Sequence, residues 1–78
     1  METLIEALKL ALPLADIEDI MAATDLYGQG HIDSLEAIIL IDEINAAFGI
    51  AIGATDFGRA DFMTVESLYA LVQRKGGK

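Results

Sequence analysis

The sequence predicts an all-α fold, a small four-helix bundle with three main helices and one short helix. Apolar residues recur at intervals of three and four along three segments, and residues typical of helix N-termini stand just before or at the start of them. Only residues 50–52 have the pattern of extended chain. Because no repeat, linker or low-complexity segment interrupts the sequence, we expect residues 1–78 to form a single domain.

The first helix is predicted over residues 3–12. Thr3 and Glu6 have the spacing of a capping box, in which two side chains satisfy backbone N–H groups reciprocally. Pro13 is expected to end the helix, since proline cannot continue its hydrogen bonding. The expected core face contains Leu4, Ile5, Leu8, Ala11 and Leu12.

Residues 14–32 are the least regular part of the chain. Residues 16–21 could form a helical turn, but Gly28 and Gly30 favour a long surface loop over this segment.

The second helix is predicted over residues 34–48. Asp33 and Glu36 again have the spacing of a capping box, and Gly49 follows the last apolar residue as a typical C-terminal stop.

Two further helices are predicted near the C-terminus. Thr55 or Asp56 is expected to cap a short helix over residues 56–60, and Thr64 a last helix over residues 65–74. One apolar stripe on the last helix contains Val65, Leu68, Leu71 and Val72.

Composition excludes several classes of function. The chain has 13 acidic and 5 basic residues, a net charge of −8, so a nucleic-acid backbone would be repelled. The acidic surface either attracts basic patches on other proteins or only maintains solubility. With no cysteine and one histidine, disulfides, thiolate sites, a histidine-based metal site and a Ser–His–Asp triad are not expected.

No targeting or membrane segment is expected either. The N-terminus lacks a basic region before its leucines, and the longest apolar run, residues 37–41, is far shorter than the ~20 residues that span a bilayer. We therefore expect a cytoplasmic monomer that does not insert into membranes.

The second helix is apolar on two opposite faces. At about 100° per residue, one face points to the core and contains Ala37, Leu40, Ile41, Ile44 and Phe48. Leu35, Ile38 and Ile39 lie on roughly the other side. Either residues 14–32 cover them, or they form a docking surface for a partner protein. The acidic rim of that surface would be Glu36, Asp42 and Glu43.

Ser34 stands at the start of the second helix. If Asp33 is the cap, the Ser34 hydroxyl is left free at a helix end that favours anions, although Asp33 and Glu36 would oppose a phosphate there. Alternatively, Ser34 is itself the cap. His31 is expected to be an exposed loop residue, because three nearly consecutive loop residues cannot easily converge into a triad.

The motif Asp33, Ser34 and Leu35, after a glycine-containing loop and at the head of an aliphatic and acidic helix, resembles that of the acyl carrier protein family. The resemblance covers roughly residues 24–73. Other features at the family's spacing are Asp25-Leu-Tyr, Ile44, Phe48-Gly49 and Thr64.

Residues 55–64 are similar to a segment of D-alanyl carrier proteins. The matching residues are Asp56, Phe57, Arg59 and Thr64. Phe62 stands where that group has tryptophan, Gly58 where it has aspartate, and Leu35 where it usually has methionine.

This resemblance implies a carrier and not an enzyme. A phosphopantetheinyl transferase would attach 4′-phosphopantetheine from coenzyme A to Ser34, which Asp33 and Leu35 flank. The terminal thiol of this arm would hold an acyl or aminoacyl group that a ligase loads and a downstream acyltransferase or synthase receives. The alternative is a helical interaction module without a prosthetic group, in which Ser34 is only a helix cap.

Overall fold

The computed structural model describes residues 1–53 and 55–76, and its regular elements in this part of the chain are helical. In order they are α1 (Glu2–Ala11), α2 (Ile17–Ala22), α3 (Ser34–Phe48), a 3₁₀ helix (Arg59–Phe62) and α4 (Val65–Arg74). The described residues contain no strand. The predicted all-α class is therefore confirmed, with α2 as an additional short helix.

Helix α1 lies within one residue of its predicted range, but its predicted cap is wrong. Met1 is the N-cap and no side chain caps the helix. Because the helix starts one residue earlier than expected, Thr3 lies inside its first turn and does not precede it. Helix α1 packs mainly along α3 through Leu4, Ala7, Leu8 and Ala11.

Helix α2 matches the helical turn that residues 16–21 could form, inside the segment for which a long loop was favoured. The carboxylate of Asp16 accepts a hydrogen bond from the backbone N–H of Glu18 at 2.9 Å and so caps the helix. Ile20 is fully buried against the core, and this burial offsets the low intrinsic stability of a six-residue helix. The prediction of a long loop holds only for the residues after Ala23.

Helix α3 has the predicted range and the predicted ends. Gly49, which caps its C-terminal end, has φ 66°, a left-handed conformation that other residues rarely adopt. The chain then runs back along α3, where the Asn45 side-chain amide donates to the Ile52 carbonyl at 3.1 Å. The same side chain accepts from the Ile52 N–H at 2.8 Å, so Asn45 pairs with Ile52 as a neighbouring strand would.

The short helix predicted over residues 56–60 begins later than expected. Residues Arg59–Phe62 form it, and the Asp61 carboxylate accepts from the Gly58 N–H at 2.9 Å at its start. The shift has a packing reason, because it places Phe62 in the core with 1% of its surface exposed.

Helix α4 begins and ends as predicted. Thr64 accepts from the Ser67 N–H at 3.0 Å, and the Ser67 hydroxyl accepts from the Thr64 N–H at the same distance. The predicted stripe is buried in the core: Val65, Leu68, Leu71 and Val72. Among the described residues, no helix is long and apolar enough to cross a membrane.

Candidate functional site

The site begins at the first turn of α3. Asp33 caps this helix: its carboxylate accepts from the Glu36 N–H at 2.8 Å, and the Glu36 carboxylate accepts from the Asp33 N–H at 3.1 Å. The predicted capping box is therefore present. It leaves Ser34 exposed as the first residue of the helix, with no hydrogen bond from its hydroxyl to any residue that the structure describes.

Ser34 lines a cleft of about 360 Å³ between two segments that are distant in sequence. Tyr27 forms one wall, and Phe57, Gly58 and Arg59 form the other. Phe62 also lines the cleft, and the centre of its ring lies 5.6 Å from that of Tyr27 and 5.4 Å from that of Phe57, both pairs edge to face. The lining of the cleft is therefore mixed, with aromatic rings from Tyr27, Phe57 and Phe62 beside the polar side chains of Ser34 and Arg59.

The turn that carries Tyr27 is held by Asp25. The carboxylate of Asp25 accepts from the Gly28 N–H at 2.9 Å. A Cβ atom at Gly28 would meet this carboxylate, so a larger residue there would displace the Asp25 side chain from its hydrogen bond. A longer-range hydrogen bond joins this turn to the end of the 3₁₀ helix, because the Leu26 N–H donates to the Met63 carbonyl at 3.0 Å.

Arg59 is the cation of the cleft. Its guanidinium lies 3.7 Å from the Asp25 carboxylate, a loose ion pair in which the arginine side chain is 68% exposed. It also lies 5.9 Å from the centre of the Tyr27 ring, within range of a cation–π contact.

Two tighter ion pairs join the 3₁₀ helix and the loop before it to the C-terminal end of α4. Arg74 lies 2.9 Å from Asp61, and Lys75 lies 3.0 Å from Asp56. Partial burial raises the pKa of Asp61, but hydrogen bonds from the Gly58 N–H and Arg74 outweigh it and lower the pKa below its usual value. The pKa of Asp56 is lowered by the hydrogen bond from the Gly53 N–H and by Lys75. Asp56 therefore holds a loop and does not cap a helix as predicted.

The second apolar face of α3 is open to solvent. Leu35, Ile38 and Ile39 are 66%, 57% and 40% exposed, so residues 14–32 do not cover them. Around this patch Asp42 is exposed, and Glu36 and Glu43 are half-buried. The opposite face packs in the core as predicted, through Ala37, Leu40, Ile41 and Ile44, with Phe48 partly buried against them.

A second, smaller groove of about 200 Å³ adjoins the exposed patch. Ile38, Ile41 and Asp42 line it on the α3 side, and Ile52 and Phe57 line it on the other. Phe57 lines both the cleft at Ser34 and the groove at Ile38.

Sequence reasoning did not identify the cleft. Tyr27, Phe57 and Arg59 were noted only as parts of two motifs, and the structure brings those motifs together around Ser34. In both segments aromatic residues stand beside glycines, and this pattern was the available signal for the cleft. His31 was expected to be exposed, but it is half-buried, and its backbone N–H donates to the Leu26 carbonyl at 2.9 Å.

Comparison with known proteins finds a family and several relatives for this chain. A family model described as "Phosphopantetheine attachment site" matches residues 2–72. The chain is 39% identical over 51 residues to the D-alanyl carrier proteins of Lactococcus lactis subsp. cremoris strains MG1363 and SK11 and of Lactococcus lactis subsp. lactis strain IL1403. These alignments cover 65% of this chain and 65% of each relative. No solved structure matches significantly.

The resemblance to acyl carrier proteins that the motifs suggested is thus confirmed at the level of the family. Proteins of this family hold a prosthetic group for other enzymes and are not themselves catalysts, in agreement with the expectation for this chain. The chain belongs to the phosphopantetheine attachment site family, whose members carry covalently attached 4′-phosphopantetheine.

Proposed function

We propose that Ser34 carries 4′-phosphopantetheine and that the chain presents an acyl or aminoacyl thioester on this arm to partner enzymes. The observation that carries the proposal is the state of the Ser34 hydroxyl. Asp33 and Glu36 satisfy the cap between them, which leaves this hydroxyl exposed beside a cleft.

The surroundings of Ser34 fit a phosphodiester. The first turn of α3 presents backbone N–H groups and the positive end of the helix dipole, both of which favour a phosphate. Asp33 and Glu36 oppose it electrostatically, and Arg59 across the cleft supplies an opposite charge. When bound, the arm supplies a terminal thiol for thioester chemistry, which a chain without cysteine lacks.

The exposed patch of Leu35, Ile38 and Ile39 supports a docking role. It lies on the same helix as Ser34, and the carboxylates of Glu36, Asp42 and Glu43 surround it. Enzymes that share this carrier would present an apolar contact with a basic border. The proposed partners are a phosphopantetheinyl transferase, a loading ligase, and a downstream acyltransferase or synthase.

For the cargo we propose an aminoacyl group, with D-alanine as the first candidate. The similarity to D-alanyl carrier proteins supports this choice, as do the matching residues Asp56, Phe57, Arg59 and Thr64. The test uses the protein with phosphopantetheine attached and no acyl group on it. It is offered D-alanine, other amino acids and fatty acids, each with a ligase specific for that class. Preferential thioester formation with another class would overturn the D-alanine assignment and leave the carrier role intact.

The intact mass of the protein tests the carrier role directly. Incubation with coenzyme A and a broad-specificity phosphopantetheinyl transferase should add the mass of one phosphopantetheine to the wild-type chain. The Ser34→Ala variant should keep its original mass and its helical circular dichroism spectrum. If a folded wild-type sample gains no mass, the alternative is favoured: an interaction module that binds a partner through the exposed patch.

A further inference from the structure

Arg59 differs from the other cations near the cleft. Arg74 and Lys75 lie 2.9 and 3.0 Å from Asp61 and Asp56, so their charges are matched at contact distance. Arg59 lies 3.7 Å from Asp25, beyond hydrogen-bond distance, and its side chain is 68% exposed. Its guanidinium is therefore available to a second anion at little cost in lost contacts.

Under the proposed function, a phosphodiester on Ser34 would be an anion close to Arg59. Ser34 and Arg59 line the same cleft. Asp33 and Glu36 lie beside Ser34, so a phosphate there adds a third negative charge to the first turn of α3. Arginine matches a phosphate with paired N–H donors, and Arg59 is the cation that lines this cleft.

We propose that Arg59 is a positioning residue for the arm: its guanidinium moves from Asp25 to the phosphodiester on Ser34 and directs the arm along the cleft between Tyr27 and Phe57. This inference rests on the proposed function, because it needs the arm on Ser34. Asp25 and the phosphate compete for one guanidinium, so the position of the arm depends on how tightly Asp25 holds Arg59.

The experiment uses the arm-loaded protein, with loading of each variant established by intact mass before comparison. The first readout is the NMR resonance of the Arg59 Nε–H before and after loading, with the Arg74 Nε–H as an internal reference. The second is the ³¹P relaxation of the phosphodiester, which reports its mobility. The third uses the absence of cysteine: a fluorophore on the arm thiol labels one position only, and its anisotropy follows the arm.

We expect loading to shift the Arg59 resonance more than that of Arg74, and Arg59→Gln to make both the phosphorus and the fluorophore more mobile. Arg59→Lys should restore part of the effect, since lysine keeps the charge without the paired donors. Asp25→Asn should restrict the phosphorus further, because it removes the competing charge while keeping an oxygen for the Gly28 N–H.

Lys9→Gln is the matched control, since it removes one positive charge from α1, at a groove lined by Glu6 and Leu10 and apart from the cleft. An unchanged Arg59 resonance on loading, or equal ³¹P relaxation in Arg59→Gln and wild type, overturns this inference and leaves the carrier role standing. If the wild-type chain accepts no arm, the proposed function and this inference fail together.

Discussion

Asp33 and Glu36 exchange two hydrogen bonds across the first turn of α3, at 2.8 and 3.1 Å, and Ser34 lies between them with its hydroxyl uninvolved. A helix start needs a cap, and serine is among the residues that most often provide one. Here the neighbouring aspartate takes that role. The helix is therefore capped without use of the Ser34 hydroxyl.

Removal of the Asp33 cap should destabilise the protein measurably. Asp33→Ala loses the acceptor for the Glu36 N–H, at a cost of about 1 kcal/mol, which corresponds to a melting temperature roughly 4–8 °C lower for a domain of this size. Asp33→Asn keeps an acceptor oxygen and should melt close to wild type. Thermal unfolding followed by circular dichroism compares the two, and equal melting of Asp33→Ala and wild type would show that the cap is dispensable.

The exposed patch should tolerate charge without unfolding. Ile38 is 57% exposed, so Ile38→Asp is expected to change the free energy of unfolding by only about 0.5 kcal/mol. It should lower kcat/KM of the loading ligase by about tenfold or more, as expected when a central apolar contact of an interface is lost.

Leu10→Asp is the control for the expected fall in kcat/KM, because Leu10 is 69% exposed on α1, outside the patch. It should leave the ligase kinetics unchanged. Ile44→Ala, at a fully buried position of the same helix as Ile38, should instead cost about 2–5 kcal/mol. A comparable loss of stability in Ile38→Asp would mean that the patch belongs to the core.

Asn45 should control the order of the chain that follows α3. Asn45→Ala leaves the Ile52 N–H and carbonyl without their partner, which should cost about 1–3 kcal/mol. Hydrogen exchange at the Ile52 amide should become faster in this variant. Asn45→Asp keeps the acceptor for that N–H and should retain more of the protection. Equally fast exchange in both variants would contradict the assigned hydrogen bond.

The stability of the protein should fall in acid through Asp56 and Asp61. Both have folded-state pKa values below the unfolded value of 3.8, so the unfolded chain binds more protons as the pH falls. Their contribution is complete above pH 3.8 and is lost as the pH drops through the lower folded pKa values. Urea unfolding measured from about pH 6 to about pH 2 follows this loss.

The double variant Asp56→Asn and Asp61→Asn should be less stable than wild type at neutral pH and should lose less stability on acidification. Asp42→Asn, at an exposed position on α3, is the control and should follow the wild-type profile. If the double variant and wild type show the same dependence on pH, the two ion pairs do not contribute to acid sensitivity.

Local sequence was sufficient where one segment decides its own structure. The ends of α3 follow from the Asp33 and Glu36 pair and from Gly49, since each satisfies backbone groups within a few residues. The start of α4 follows from Thr64 in the same way. The two apolar faces of α3 could also be predicted, because a period of 3.6 residues per turn places Ile38 on the opposite side of the helix from the buried Leu40.

Tertiary packing decided the elements whose local signals were weak or in conflict. Helix α2 has six residues, too few to be stable alone, and it exists because Ile20 reaches the core. The 3₁₀ helix starts at Arg59 and not at Asp56, because Phe62 is buried while Asp56 is held by Gly53 and Lys75. No local pattern contains these long-range contacts.

By itself, the sequence predicted a helical carrier fold, a serine at the start of α3 that is either free or the helix cap, and a second apolar face on that helix. Only the tertiary structure decided what surrounds that serine. The turn at Tyr27 and the segment at Phe57 and Arg59 are separated by about thirty residues, and burial of Phe62 between the two rings brings them together. A cleft made by such a contact is a property of packing, because neither of its walls encodes the position of the other.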